Sequence, residues 1–94
     1  MANVFEIQRE LLNKRADLQA RLNLLPYDGT PEVKENGEGK YLYIRKREAG
    51  RLRSTYVGAY TDELYNLLLR NAAEAKVIRK ELRQIDRRLA ELGY

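Results

Sequence analysis

The sequence predicts an α+β fold, mostly α, of order α-β-β-α: an antiparallel, coiled-coil-like helical hairpin with an inserted β-hairpin. Three observations carry this reading. An apolar repeat of alternating four and three runs through residues 61–92, and a second amphipathic stretch fills residues 3–25. Between them, two aromatic and β-branched runs flank a short Gly-containing turn. With 94 residues, the chain is expected to form a single domain.

The first helix is expected over 3–25. Val4, Ile7, Leu11, Leu18, Leu22 and Leu25 follow the helical period, and Arg15 breaks the stripe once. Asn3 followed by Glu6 has the capping-box layout, and Pro26 ends the helix. Residues 26–39 read as a connecting loop, because Asp28-Gly29, Pro31, Asn36-Gly37 and Gly39 are all turn formers. Val33 and Lys34 leave room there for a short extended piece. Residues 40–58 read as a β-hairpin, with Tyr41-Leu42-Tyr43-Ile44 and Thr55-Tyr56-Val57 as strands and Glu48-Ala49-Gly50 as the tight loop. A lone hairpin is marginal in water, so it must lean on the helices.

The long helix over 61–92 carries the clearest pattern. Leu64, Leu68, Asn71, Ala75, Ile78, Leu82, Ile85, Leu89 and Leu92 form a heptad a/d seam. Thr61 is the expected N-cap and Gly93 the exit. At ~1.5 Å per residue this helix would measure ~48 Å against ~33 Å for the first. The excess length should lie under the β-hairpin, with Leu67 and Leu69 widening the apolar face there. Two helices alone leave one side of the seam open, so a homodimer closing into a four-helix bundle is expected. Its interface would be Leu68, Asn71, Ala75, Ile78, Leu82, Ile85 and Leu89. Asn71 has two readings: a buried residue that sets register or oligomer state, or a residue of the solvated rim.

Composition excludes most catalytic chemistry. The chain has no Cys and no His, so thiol nucleophiles, disulfides, thiolate metal sites and the usual general base are absent. Glu74 and Glu81 lie seven apart beside the seam, where coiled coils carry charge pairs, and no Gly-rich phosphate loop precedes a helix. The expectation is a protein that is not an enzyme and uses no metal or cofactor. With no apolar run of spanning length and no signal-peptide layout, a cytoplasmic protein without membrane contact is expected.

The formal net charge of +4 is unevenly spread. Residues 26–39 carry one basic and four acidic side chains, whereas residues 40–60 carry six basic and one acidic. A two-residue turn at Ala49-Gly50 would put Leu42, Ile44 and Val57 on one face with Lys46, Arg53 and Thr55. Tyr41, Tyr43, Tyr56, Arg45, Arg47 and Ser54 would share the other. Tyrosines interleaved with guanidinium groups suit nucleic acid, since rings offer contact area to bases and Arg binds phosphate or a guanine edge. The candidate nucleic-acid or anion site is therefore Tyr41, Tyr43, Arg45, Arg47, Arg51, Arg53 and Tyr56. The plainer reading is structural: Tyr fills half-buried faces, and outer Arg and Lys keep a strand edge from aggregating.

The run Tyr41-x-Tyr43-x-Arg45, then Gly50-Arg51-x-Arg53-Ser54-x-Tyr56-Val57-Gly58, resembles a hairpin of small uncharacterised bacterial, archaeal and phage proteins. A similar Tyr…Arg…Gly-Lys/Arg…Gly hairpin occurs in some transposases and recombinase arm domains. Over its length the chain is similar to short bacterial reading frames, some encoded beside toxin-like enzymes. This resemblance implies two options. One is a DNA-contacting accessory protein; the other is an antitoxin-like or inhibitor protein that neutralises a partner enzyme through its helices.

Overall fold

The computed structural model describes residues 3–94. Helix α1 spans Val4–Leu24, strand β1 Thr30–Asn36, β2 Gly39–Glu48, β3 Arg51–Ala59, and helix α2 Asp62–Glu91. The three strands form one antiparallel sheet in the order β1-β2-β3. The fold is α+β and mostly α, with the β-hairpin between two helices as the sequence predicts. Residues up to Leu25 with Ala75–Tyr94 make one compact unit, and Pro26–Glu74 make another.

Helix ends follow the expected capping chemistry. The Asn3 side chain accepts the Glu6 N–H at 2.9 Å, and Thr61 Oγ1 accepts the Leu64 N–H at 3.0 Å. At the far end of α2, Gly93 takes φ 79°, the Tyr94 N–H reaches the Leu89 carbonyl at 3.0 Å, and the Gly93 N–H reaches Ala90 at 3.1 Å. That pair of bonds is a Schellman motif, which satisfies carbonyls the helix leaves orphaned.

In the first unit, α1 and the last part of α2 run antiparallel. Gln8 Nε2 donates to the Leu92 carbonyl at 3.1 Å, and Arg15 Nε lies 2.7 Å from Asp86 Oδ1. Between them Leu18, Ile78, Ile85 and Leu89 are buried, with Leu11, Leu12, Leu22, Leu25 and Leu82 packed around. Each fully buried Leu or Ile stabilises by about 1.5–3 kcal/mol.

In the second unit, one sheet face packs on the start of α2. Leu42, Ile44 and Leu68 are buried, and Tyr27, Val57, Tyr60, Leu64 and Tyr65 surround them. The cover reaches Leu64, Tyr65 and Leu68, while Leu69 stays 42 % exposed, so the apolar face is not widened to that position as expected.

The connection 26–39, expected as a loop, contains a strand. Thr30–Asn36 pairs with Gly39–Arg45 in register from Thr30↔Arg45 to Asn36↔Gly39. The physical reason is a tight turn at Gly37-Glu38, where Asn36 Oδ1 accepts the Glu38 N–H at 2.9 Å and closes an Asx turn. Once that turn forms, Val33 sits opposite the fully buried Leu42 and Pro31 opposite Ile44. The Pro is tolerated because β1 is an edge strand.

Candidate functional site

The β2–β3 register decides which side chains meet. Strand pairs run Tyr43↔Tyr56, Ile44↔Thr55, Arg45↔Ser54, Lys46↔Arg53, Arg47↔Leu52 and Glu48↔Arg51. Residues directly opposite share a face. The turn is Ala49-Gly50, with φ 48° and 79°, the paired positive values of a type I′ hairpin. The two-residue turn expected from sequence is therefore present, and the faces divide as it requires. A register shift at Leu42/Tyr43 lets Leu42 meet Gly58 and Tyr41 meet Ala59.

Three tyrosines gather on the face away from the core. The Tyr43 and Tyr56 rings meet edge to face with centroids 5.4 Å apart, and Tyr41 lies 6.3 Å from Tyr56. Tyr41 and Tyr43 are half-buried, whereas Tyr56 is 54 % exposed. Strand β1 adds Lys34 and Glu32 to this face. Lys34 Nζ sits 4.4 Å from the Tyr43 ring centroid, a cation–π contact. Glu32 lies 3.4 Å from Lys34 Nζ and 3.6 Å from Arg45 Nη1. The signal that could have found both was Asn36-Gly37 between Val33 and the Tyr41 run, a strong short-range hairpin cue.

The hairpin outruns its third strand. Pairing with β1 stops at Thr30↔Arg45, but β2 and β3 continue to Glu48↔Arg51. Residues 45–56 are all exposed. From Lys46 to Arg53 the chain is a free two-stranded ribbon with Lys46, Arg47, Arg51 and Arg53 against Glu48. Its cations point both ways: Arg45 and Arg47 lie on the tyrosine face, and Lys46, Arg51 and Arg53 on the opposite one. Several also have local partners. Arg47 Nη1 donates to the Gly50 carbonyl at 3.1 Å, and Lys46 Nζ lies 3.5 Å from Asp28. The Arg47 contact is solvent-exposed and weak, so a polyanion can displace it, whereas the Asp28 side chain that holds Lys46 is only 13 % exposed.

At the base of β3, the Tyr60 hydroxyl donates to Asp62 Oδ1 at 3.0 Å. That hydrogen bond to the carboxylate, more than burial, raises the phenol above its ordinary value and keeps it protonated.

The seam expected at a dimer interface is filled within the single chain. Leu68, Asn71, Ala75, Ile78, Ile85 and Leu89 are all buried in the single chain, and Leu82 is half-buried. Leu68 packs in the sheet unit; Ile78, Ile85 and Leu89 pack with Leu18 of α1, with Leu82 beside them. An a/d repeat states that a helix has an apolar seam, not whose side chains fill it. Of the two readings of Asn71, the solvated rim is excluded: the residue is 7 % exposed.

Among the described residues, no group of three or more Asp and Glu side chains is placed to hold a metal ion. Among the described residues, no helix is long and apolar enough to cross a membrane. No curated protein matches the chain, and no solved structure matches it. Residues 1–66, which take in α1, the sheet and the start of α2, match the family described as Domain of unknown function (DUF6788). The chain belongs to that family.

Proposed function

We propose that this is a non-enzymatic nucleic-acid-binding protein of the cytoplasm that makes contact through its basic, tyrosine-bearing hairpin. One observation carries the reading: the ribbon Lys46–Arg53 extends past β1, with both faces open and four cations to one anion. A two-stranded ribbon fits the DNA major groove, where cations on its two faces can meet phosphates on both walls. Exposed Tyr56 adds contact area at its base. The other reading, an antitoxin-like inhibitor acting through its helices, is weakened by the burial of the seam it would use.

Fluorescence anisotropy with a short DNA duplex tests the proposal. Binding should weaken steeply with salt, and the ribbon's four cations should contribute about −3 to −4 to the log–log slope if each neutralises a phosphate. Arg45→Glu/Arg47→Glu should abolish binding while helical circular dichroism and melting hold. Because Arg45 and Arg47 have local partners, Arg51→Glu/Arg53→Glu serves as the second variant. The proposal is lost if the wild type shows no salt-dependent binding, or if both variants bind as it does.

A further inference from the structure

Helix α2 carries a second cationic surface. Lys76, Lys80, Arg83 and Arg87 recur at spacings of four, three and four. At 3.6 residues per turn, they lie within an arc of roughly 40–60° centred opposite the buried Ile78, Ile85 and Leu89. All four are exposed, and Arg79 borders the same arc. No acidic residue falls within the stripe between Lys76 and Arg87: Glu81 and Asp86 lie to its sides, and Glu91 follows one turn beyond Arg87. Two ion pairs of this stretch, Arg15–Asp86 and Arg88–Glu91, are made by cations outside the stripe. Like charges at i,i+3 and i,i+4 destabilise a helix, and an ordinary solvated face relieves this by alternating signs.

We propose that this stripe is a phosphate-backbone contact, a second nucleic-acid surface besides the hairpin. It rests on the reading that the ligand is nucleic acid. Four cations along ~16 Å of one helix face match a polyanion of closely spaced charges, and they carry no groups suited to reading bases. A bilayer surface is disfavoured because an interfacial helix needs an apolar face to sink between headgroups. In α2 that face is committed to α1.

The experiment measures duplex affinity against salt for four full-length proteins: wild type, Lys80→Gln/Arg83→Gln/Arg87→Gln, the charge-matched control Arg9→Gln/Arg70→Gln/Arg88→Gln, and Arg51→Glu/Arg53→Glu. Circular dichroism confirms that each is folded. The stripe variant should lose about two to three units of salt slope and about tenfold or more in affinity, and the control much less. If stripe and control variants behave alike, the stripe contact is refuted while the hairpin reading stands. If Arg51→Glu/Arg53→Glu binds normally and only the stripe variant fails, the stripe stands, and the hairpin reading falls once Arg45→Glu/Arg47→Glu also binds normally. No duplex binding by the wild type overturns both. Stripe-dependent sedimentation with phosphatidylserine vesicles, without duplex binding, would assign the stripe to membrane instead and overturn the proposal.

Discussion

Arg45 is held by Glu32 of the neighbouring strand, with Nη1 3.6 Å from Oε2, and the other carboxylate oxygen of Glu32 takes Lys34 at 3.4 Å. One carboxylate thus restrains two cations beside the tyrosine cluster. Glu32 keeps 27 % of its side chain exposed and Arg45 53 %, so the pair is open to solvent and to competition from another anion.

Glu32→Gln should therefore tighten duplex DNA binding, by about three- to tenfold at moderate salt, because it removes a competing charge and releases both cations. Stability should change by less than ~1 kcal/mol, the scale of an exposed pair. Anisotropy at fixed salt with a parallel thermal melt reads both. Weaker binding with an unchanged melt would mean that Glu32 orients Arg45 for its ligand, and the competition argument would be withdrawn.

Gly29 should tolerate no side chain. Its φ is +151°, and a Cβ there would collide with Ile44 Cγ2 and sit 3.0 Å from the Arg45 carbonyl oxygen. Gly29→Ala is expected to cost about 2–4 kcal/mol, combining backbone strain with overpacking against a buried residue. Gly37→Ala is the control, since a Cβ there meets nothing within 4 Å. Denaturant unfolding of the two variants should differ clearly. Equal midpoints would show that the entry to β1 shifts to make room.

How far the sequence disclosed this fold depends on the element. Helices α1 and α2 were legible to within a residue at each end, because Asn3, Pro26, Thr61 and Gly93 act locally. The hairpin turn was legible for the same reason. Strand β1 was not, because its pairing is set by contact with β2 and only Val33 of its side chains is plainly apolar. The seam was legible as a pattern but its partner was not: periodicity is a property of one helix, whereas Leu18 reaches Ile78 only through tertiary packing. The tyrosine face could be read from strand alternation, yet Lys34 and Glu32 joined it only with β1 in place.

Ala49 offers a stabilising change. It is the one described non-glycine residue at positive φ, 48°, in the first central position of the type I′ turn. Asn populates that region more readily than Ala, so Ala49→Asn should raise stability by about 0.5–1 kcal/mol. Thermal melts would show it. A lower melting point would mean the turn is held by something other than its own backbone preference.

Asn71 is the last and most revealing position. Its Nδ2 donates to the Leu67 carbonyl of its own helix at 2.9 Å, while Oδ1 is buried without a hydrogen-bond partner. A buried unsatisfied acceptor costs about 1–3 kcal/mol, and the Leu67 carbonyl loses little if Asn71 goes, since it already receives a backbone N–H in the helix. Asn71→Leu should then raise stability by about 1 kcal/mol, with overpacking the competing term. Asn71→Ala separates the two, because it removes the polar group without adding volume. If both variants lose stability, Oδ1 has a partner such as a bound water, and the cost argument is wrong. Sedimentation should be unchanged in both. If Asn71→Leu gains stability but changes its oligomeric state, the amide is a specificity device, kept at the expense of stability to stop the long apolar seam from accepting a second helix.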